Sequence, residues 1–505
     1  MAYGSMRVEA LPAAPVAPTS PPGIGFTSAS WSAYMTMNGV ISASVSAVSS
    51  QRVANVTCTP HVMVPLGSAA MATAPLESST SRTAGTTLRN LWLMSSSVRL
   101  AADSILRAGR VLDDRGLGLF GSALTRGARR RTVVTVRILQ CLERKESPMT
   151  ITLSHGGPTI YRSDTPSRQV LVGTIEGVVR IERDRSGSGW HVADRALTDK
   201  HVHAILIEPE SGTVFAGMKH GSLFASDDGG HTWERRDKGL TEHNVYSLAC
   251  ARLGGSARVF AGTEPAHLFC SDDLGRGWTE LSALRSVDTS RWSFPAPPNV
   301  AHTKHINFHP LDAATLFIGI EQGGLLKSTD AGKTFRVIPG MDDDVHRTVI
   351  NPLNPDRIYI TTGIGMYVSS DGGATWEQWT DLKHEIGGYP DLLVLHPRRP
   401  ELMFIASAEQ GPGSWRKSHF AGSRVSKSTD GGRSWQILRA GLPDRLRPAF
   451  EAMCLEDWGE SFSLFAATAT GEVWSSDDGG ERWTEIVTGL APISKGDHYS
   501  AFVTA

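Results

Sequence analysis

The sequence predicts an all-β protein: a single seven-bladed β-propeller of four-stranded antiparallel blades, preceded by a poorly structured N-terminal extension. Three observations lead to this prediction. One short phrase occurs six times, its copies lie about 40–60 residues apart, and the stretches between them alternate like short strands. Repeats of this length, each holding four strands, are typical of propellers.

The recurring phrase has the form Ser-x-Asp-x-Gly-x-x-aromatic, as in SSDGGATW from Ser369 to Trp376. Its aspartate can accept hydrogen bonds from backbone N–H groups of the turn, and its glycine supplies a positive φ. We therefore expect the phrase to stabilise a hairpin and to carry no chemistry. The six aspartates are Asp228, Asp273, Asp330, Asp371, Asp430 and Asp478. The closing aromatics are Trp233, Trp278, Phe335, Trp376, Trp435 and Trp483, spaced by 45, 57, 41, 59 and 48 residues.

A seventh, degenerate copy ends at Trp190, which is 43 residues before Trp233. Around each phrase the sequence predicts four strands, as in VHAILIEP, TVFAGMKH, SLFAS and TWERR of the second unit. The first unit begins at what reads as a second strand, RQVLVGT, and the C-terminal DHYSAFVTA reads as a first strand. We expect these chain ends to complete one blade together and so to close the ring.

Residues 1–148 differ in composition from residues 149–505. They carry about 15 basic and 7 acidic side chains and are rich in Ser, Ala, Thr and Pro, whereas the remainder carries 35 basic and 44 acidic residues. Three interpretations stay open: an organellar transit segment, a disordered tail with a helix near 88–112, or a genuine start of the protein at Met149. The predicted domains are thus the extension 1–148 and the propeller 149–505.

The overall composition limits the partners. The net charge of -1 gives no reason to expect nucleic acid or an anionic membrane as a partner, and no run approaches the 18 apolar residues of a membrane helix. The five cysteines are scattered without metal-type spacing, which fits a reducing compartment. We expect a cytoplasmic protein, or an organellar one if residues 1–148 are a transit segment.

The repeated phrase resembles the Asp-box, or BNR repeat, of sialidase-like propellers, xyloglucanases, the sortilin ectodomain and the photosystem II assembly factors. The resemblance covers about 350 residues and implies the propeller fold. It implies no single activity, because these relatives include glycosidases, receptors and assembly factors. The sequence shows neither the N-terminal arginine motif nor the Arg triad with a Tyr/Glu pair of true sialidases, so the resemblance does not imply sialic-acid cleavage.

The phase of the strands locates a candidate site on the face opposite the Asp-box turns. Alignment of the predicted first strands gives one inward-pointing position per blade, and all seven residues there are ionisable: His203, Tyr246, Lys304, His346, Asp391, Glu451 and Tyr499. Two residues earlier, at the channel mouth, lie His201, Asn244, His302, Asp344, Tyr389, Ala449 and Asp497. A water-filled structural channel would show the same polarity, so both interpretations stay open.

Two long loops on that face, 284–305 and 407–425, account for the two longest spacings and suit ligand binding. We expect substrate contacts from Arg291, Trp292, His302, Glu321, Trp415, Arg416 and His419. A packed lid without a ligand is the alternative for both loops.

Three kinds of chemistry fit the inner positions. Asp391 and Glu451 could serve as general acid and base on a glycosidic bond, and Lys304 could bind an anion or act as a base. Tyr246 and Tyr499 complete the predicted catalytic set. A divalent metal at the channel mouth, held by His203, His346 and Asp391, is the third option.

We therefore predict a propeller enzyme, a glycosidase-like hydrolase or lyase that acts on a polar small molecule or carbohydrate. If the third option holds, a bound divalent metal assists the reaction. The alternative is a non-catalytic propeller that binds a protein or assembles a complex.

Overall fold

The computed structural model describes residues 150–184, 186–187 and 189–503. The predicted extension 1–148, its helix near 88–112 and the start at Met149 lie outside these residues. Within the described part of the chain, seven mainly antiparallel sheets follow one another as the blades of a propeller, which confirms the predicted fold.

The strands of each blade are given from the channel outwards. Blade 1 contains β1 (Thr150–Leu153), β3 (Gln169–Thr174), β4 (Gly177–Arg183) and β5 (Trp190–Ala196). Blade 2 contains β6 (Val202–Ile207), β7 (Val214–Met218), β8 (Ser222–Ser226) and β9 (Glu234–Arg235). Blade 3 contains β10 (Asn244–Leu253), β11 (Ser256–Glu264), β12 (Leu268–Ser271) and β13 (Thr279–Glu280). Blade 4 contains β14 (His302–His309), β15 (Asp312–Glu321), β16 (Gly324–Ser328) and β17 (Arg336–Ile338).

The remaining three blades follow the same order. Blade 5 contains β18 (Val345–Ile350), β19 (Ile358–Thr362), β20 (Gly365–Ser369) and β21 (Glu377–Gln378). Blade 6 contains β22 (Tyr389–His396), β23 (Arg399–Ala408), β24 (Arg424–Ser428) and β25 (Gln436–Ile437). Blade 7 contains β26 (Phe450–Asp457), β27 (Phe462–Thr468), β28 (Val473–Ser476) and β29 (Thr484–Val487), and the short β2 (Ile160–Arg162) pairs with its β26.

The hydrophobic core lies between the faces of neighbouring blades. In blades 2 and 3, for example, Phe215, Phe269 and Trp278 pack in one buried cluster. Alternate residues of each strand face opposite sides of a sheet, so a blade that is covered on both faces has few exposed strand positions. The second strand of blade 2, β7, is buried along its whole length for this reason.

The Asp-box turns have the structural role that the sequence predicted. In blade 5, the Asp371 carboxylate accepts hydrogen bonds from the backbone N–H groups of Ala374 and Thr375, both at 2.9 Å, and from the Thr375 hydroxyl at 2.6 Å. These hydrogen bonds, that of the Thr375 hydroxyl foremost, lower the pKa of Asp371 to about 2. The Ser369 hydroxyl donates to Asp371 and accepts from the Gly373 N–H, each at 2.8 Å. The other five aspartates, Asp228, Asp273, Asp330, Asp430 and Asp478, accept equivalent bonds.

The ring closes differently from the prediction. Strand β1 runs parallel to β3 and supplies the innermost strand of blade 1, while β2 runs parallel to β26 of blade 7. The predicted C-terminal first strand is therefore wrong: the innermost position of blade 1 is already filled, and His498–Ala501 forms a 3₁₀ helix, η2. Both ring-closing strands come from the N-terminal side of the propeller.

Residues 154–159, which join β1 to β2, pass through the central channel. The Gly156 N–H donates to the His203 carbonyl at 2.9 Å, and the Gly156 carbonyl accepts from the Leu248 N–H at 3.0 Å. A Cβ atom on Gly156 would lie 2.0 Å from the Tyr246 carbonyl oxygen, so only glycine fits between these inner strands. We call residues 154–159 the channel segment.

Helices are few in the described ranges. One α-helix, α1 (Pro412–Ser418), lies in the predicted long loop 407–425, and the 3₁₀ helix η1 (Ser282–Ser286) follows β13. No helix among the described residues is long and apolar enough to cross a membrane.

Candidate active site at the channel mouth

The six inner positions of blades 2 to 7 share one backbone feature. The pairing between the first and second strands of each of these blades shifts by one residue, and the skipped residue is the predicted inward one. A β-bulge of this kind leaves one residue outside the ladder and re-aims its side chain. The six bulged residues are His203, Tyr246, Lys304, His346, Asp391 and Glu451.

Glu321, the last residue of β15, is the most heavily contacted carboxylate of this cluster. Its Oε2 accepts hydrogen bonds from Lys304 Nζ and His302 Nε2, both at 2.7 Å, and Lys495 Nζ lies 3.5 Å from its Oε1. Burial alone would raise the pKa of Glu321, but the ammonium groups of Lys304 and Lys495 hold this pKa well below its usual range. Glu321 is thus an ionised carboxylate inside the protein.

Asp391 shares the same two lysines. Its Oδ2 lies 2.8 Å from Lys495 Nζ, and its Oδ1 lies 3.6 Å from Lys304 Nζ. Burial would raise the pKa of Asp391, yet the two ammonium groups keep it well below its usual value. Burial lowers the pKa of Lys304, and the carboxylates of Asp391 and Glu321 only partly oppose this effect.

Glu451 lies on the blade 7 side and is fully buried. Its Oε2 accepts a hydrogen bond from the Lys495 backbone N–H at 2.9 Å, and its Oε1 lies 3.4 Å from His498 Nδ1. The Glu451 backbone carbonyl lies 3.0 Å from Nδ1 of His155, a residue of the channel segment.

Aromatic rings form the opposite side of the cluster. The Tyr246 ring stacks on His302 with centroids 3.8 Å apart and lies 4.8 Å from the His203 ring. Burial raises the pKa of Tyr246 well above its usual value, so its hydroxyl stays protonated. Both ring nitrogens of His203 are buried without a hydrogen-bond partner.

The cluster is enclosed on two sides. The channel segment covers one side, where the His155 carbonyl accepts a hydrogen bond from Arg347. Residues 490–503 lie over the mouth, and the Ser494 carbonyl is 3.1 Å from His201 Nε2. The residues at the mouth that keep partial exposure include Glu264 and Asp344, whose side chains are 17% and 16% exposed. They belong to the sector of blades 3 to 5.

The predicted substrate residues separate into three groups. His302 and Glu321 lie in the buried cluster, whereas Trp415 is buried against Tyr389 and Phe502 and forms part of the wall of the mouth. The others lie outside the cluster. Arg291 is exposed and pairs with Asp343, and Trp292 is partly buried against a hydrophobic cluster of blades 3 and 4. Arg416 is exposed, and His419 contacts the Ala501 carbonyl.

Two sequence-based placements need correction. Tyr499 was expected on a first strand, but it lies in η2 with its ring 6.4 Å from that of His201, because β1 fills the strand position. The predicted metal ligands His203, His346 and Asp391 do not converge. His346 Nδ1 lies 2.9 Å from the Pro390 carbonyl and 3.8 Å from Asp391, and the His203 ring contacts His201 and Tyr246 instead. The catalytic roles of the other residues stay predictions.

Three cluster residues were missed from the sequence: His155, Arg347 and Lys495. All three are buried. Two lie outside the repeated units, in the channel segment and in the C-terminal residues, and Arg347 is one position beyond the inward residue of β18. Alignment of repeats therefore gave no signal for them.

A separate groove of about 360 Å³ lies beside the mouth, between blade 3 and the loop 284–305. Its lining combines an indole, a guanidinium and an imidazole with small apolar residues: Pro265, Ala266, His267, Arg285, Thr289, Trp292, Asn299, Val300 and Ala301.

The fold and the repeated turns define the protein as an Asp-box propeller with an ionisable cluster at its channel mouth. Residues 323–445, about a quarter of the chain, match the family model described as Sortilin-Vps10 (sortilin, neurotensin receptor 3). This match agrees with the resemblance seen in the repeated phrase.

Comparison with solved structures gives matches of low identity. The GH74 enzyme of Niastella koreensis is 18% identical, with a TM-score of 0.48 over 67% of this chain and 55% of that one. An ancestral GH74 enzyme is 16% identical, with a TM-score of 0.46 over 57% of this chain and 39% of that one. YCF48 from Cyanidioschyzon merolae is 14% identical, with a TM-score of 0.44 over 63% of this chain and 95% of that one. This chain thus spans less than two thirds of either GH74 enzyme, and a search of curated proteins finds no match.

Proposed function

We propose that the protein is an enzyme, a glycosidase-like hydrolase or a lyase, that acts on a small polar molecule or sugar at the channel mouth. The observation that supports this proposal most strongly is the set of bulges: six successive blades each direct an ionisable side chain into one enclosed cluster. Bulges next to a site serve to aim side chains, and buried groups with perturbed pKa values concentrate at functional sites.

The energetics of the cluster favour a functional origin. Burying an ion pair gains little stability relative to a hydrophobic replacement, so a fold gains no obvious advantage from placing two lysines and three acids in its channel. Several buried polar atoms of the cluster also lack a hydrogen-bond partner, including Glu451 Oε1, His155 Nε2 and both ring nitrogens of His203. Such atoms are rare in folded proteins and can be satisfied by a bound polar molecule.

The charge states suggest roles for the predicted catalytic residues. An ionised Asp391 suits a base or a stabiliser of positive charge and does not suit a proton donor. Tyr246, which stays protonated, can donate a hydrogen bond, and Lys304 can contact a developing negative charge. Glu451 Oε1 has no hydrogen-bond partner and lies 3.4 Å from His498 Nδ1. Glu451 is therefore our candidate for the proton-transferring group, with Tyr499 at the rim of the mouth.

The test uses two glutamates of one strand. The full-length protein is assayed against chromogenic aryl glycosides and aryl esters, and the activity found is compared in Glu451→Gln and Glu456→Gln. Both side chains are fully buried on β26, but Glu456 contacts Ser163 and Ser167 at the far end of the strand. Loss of a proton-transferring group lowers kcat by about 100-fold or more, so we expect this loss in Glu451→Gln alone. Equal activity in the two variants, or no turnover of any substrate, would count against the proposal.

The groove beside the mouth favours a second candidate function, a non-catalytic module that binds a protein segment. Trp292 and Arg285 offer stacking and charge contacts on a surface near small apolar residues, as recognition sites commonly do. A peptide selected on the full-length protein from a random library should bind Trp292→Ala more weakly than the wild type. The control variant is Trp379→Ala, whose indole lies on the Asp-box side against Arg357 and Arg433.

A further inference from the structure

His346 holds an unusual position within the cluster. Its Nδ1 lies 2.9 Å from the Pro390 carbonyl oxygen, and because a carbonyl only accepts, Nδ1 carries the proton. The other ring nitrogen, Nε2, then presents its lone pair in the neutral ring. Nε2 is completely buried and has no hydrogen-bond partner.

Two carboxylates face this nitrogen. Asp344 Oδ2 lies 3.5 Å and Glu321 Oε1 lies 3.8 Å from His346 Nε2. Both distances are too long for good hydrogen bonds. The ligand atoms of Glu321, Asp344 and His346 all lie within 4.8 Å of one another. One imidazole nitrogen and two carboxylate oxygens this close together favour a cation among them, which is either a proton on Nε2 or a metal ion.

We propose that Glu321, Asp344 and His346 form a binding site for a divalent transition-metal ion. Ligand atoms about 2.0–2.2 Å from a zinc ion lie roughly 3.0–3.6 Å from one another, so small side-chain movements would bring this set into range. One imidazole and two carboxylates suit Zn²⁺, Mn²⁺ or Fe²⁺. The hydrogen bond from His346 to the Pro390 carbonyl is the outer contact that fixes the tautomer of a metal-binding histidine.

Electrostatics and access agree with a cation at this place. Around the mouth, five carboxylates (Glu264, Glu321, Asp344, Asp391 and Glu451) face three buried basic side chains (Lys304, Arg347 and Lys495). The excess negative charge favours a divalent ion.

Asp344 provides the side of the site that is open to solvent, since its side chain keeps 16% exposure. The backbone of Gly363 approaches Asp344 closely, and a Cβ on Gly363 would lie 2.3 Å from Asp344 Oδ2. With three protein ligands, further coordination positions would remain for water or a substrate, as in catalytic zinc sites. The site goes beyond the proposed enzymatic function, because metal binding can be measured whether or not the cluster is catalytic.

The experiment compares two neighbouring aspartates. Full-length protein is stripped with a chelator, and Zn²⁺ and Mn²⁺ are titrated by calorimetry into the wild type, Asp344→Asn and Asp343→Asn. Asp343 lies in the same loop but pairs with the exposed Arg291, so its substitution makes the same charge change away from the site. We expect one ion per wild-type chain, unchanged affinity in Asp343→Asn, and a loss in Asp344→Asn larger than the roughly 10–100-fold typical of outer contacts. Absence of stoichiometric binding, or equal affinity in both variants, would overturn the proposal.

A second measurement does not depend on the folding of any variant. Crystals of the wild-type protein soaked with Zn²⁺ or Mn²⁺ should show an anomalous peak at the metal edge between Glu321, Asp344 and His346. A peak confined to other residues would refute the site even if calorimetry detects one bound ion.

Discussion

The Asp-box turns and the bulged ring at the channel are both repeated around the propeller, but they repeat in opposite ways. The turns keep the same Ser, Asp and Gly in six blades and satisfy their hydrogen bonds within eight residues, as Ser369, Asp371 and Thr375 do. The ring keeps the same backbone position in six blades but fills it with five residue types. Its contacts join different blades, so each member depends on distant ones.

This contrast separates two reasons for repetition. A turn that closes its own hydrogen bonds is a local solution, and every blade can use the same one. A ring whose members share charges cannot repeat one residue, because six like charges in one channel would repel each other. Identical repeats therefore mark structure in this protein, while variation at an equivalent position marks the candidate site.

The largest loss of stability should follow the removal of a charge that several members of the cluster at the channel share. Lys495→Met removes one of the two ammonium groups that the buried carboxylates of Asp391 and Glu321 share, and leaves only Lys304. We expect the free energy of unfolding in urea to fall by about 3–5 kcal/mol, as for other broken buried pairs. The matched control is Arg439→Met, which breaks an exposed pair with Asp444 and should cost less than about 1 kcal/mol. Similar costs for both substitutions would contradict the picture of a charge-coupled cluster.

The channel segment offers the next test, because its backbone is hydrogen-bonded to inner strands that carry the ring. Gly156→Ala would place a methyl group 2.0 Å from the Tyr246 carbonyl, and backbone on both sides cannot yield without moving the inner strands. We expect thermal and urea unfolding to show a loss of about 1–3 kcal/mol. Gly413→Ala in α1 is the control, since its methyl group would meet no atom within 4 Å and should leave stability unchanged or slightly raised.

Acid should weaken the turns through their aspartates. The pKa of Asp371 is lowered from 3.8 to about 2, so its carboxylate contributes stability above about pH 4 and loses that contribution as the pH falls through about 2. The stability difference between the wild type and Asp371→Asn should therefore shrink as unfolding is measured from about pH 6 down to about pH 2. A difference that stays constant over this range would show that the ionised carboxylate is not the stabilising form.

The smallest effect should come from the aromatic of the turn. Blade 4 already has Phe335 where blade 5 has Trp376, and the buried indole N–H of Trp376 has no partner. Trp376→Phe should cost about 1 kcal/mol in urea unfolding. Trp483→Phe should cost more, because Trp483 is only 1% exposed. The reverse order would mean that burial does not set the contribution of these aromatics.

The sequence was sufficient to predict the features that recur in each blade. Strand alternation located His203, Tyr246, Lys304, His346, Asp391 and Glu451 at the inner position, although the bulges that turn them inward could not be foreseen. Asp344 was placed at the mouth and Glu321 was predicted as a substrate contact, but their approach to His346 depends on how blades 4 and 5 meet. Such contacts between blades leave no periodic pattern in the chain.

Segments outside the repeats explain the remaining differences. His155 reaches the cluster because the channel segment crosses between blades, and Lys495 reaches it because the C-terminal residues fold over the mouth. Neither segment has a counterpart in the other blades that an alignment could use. The error at Tyr499 has the same origin, since an alternating stretch was taken for a strand whose place β1 already fills.

The pairing of β2 with β26 also limits when the propeller ring can close during folding. Ile160 pairs with Leu455. The backbone groups of β2 therefore find their hydrogen-bond partners only when β26 of the last blade is present. Until blade 7 has been synthesised, the ring has two unpaired edges. We expect ring closure to be a slow, cooperative step, as the long sequence separation of this contact implies.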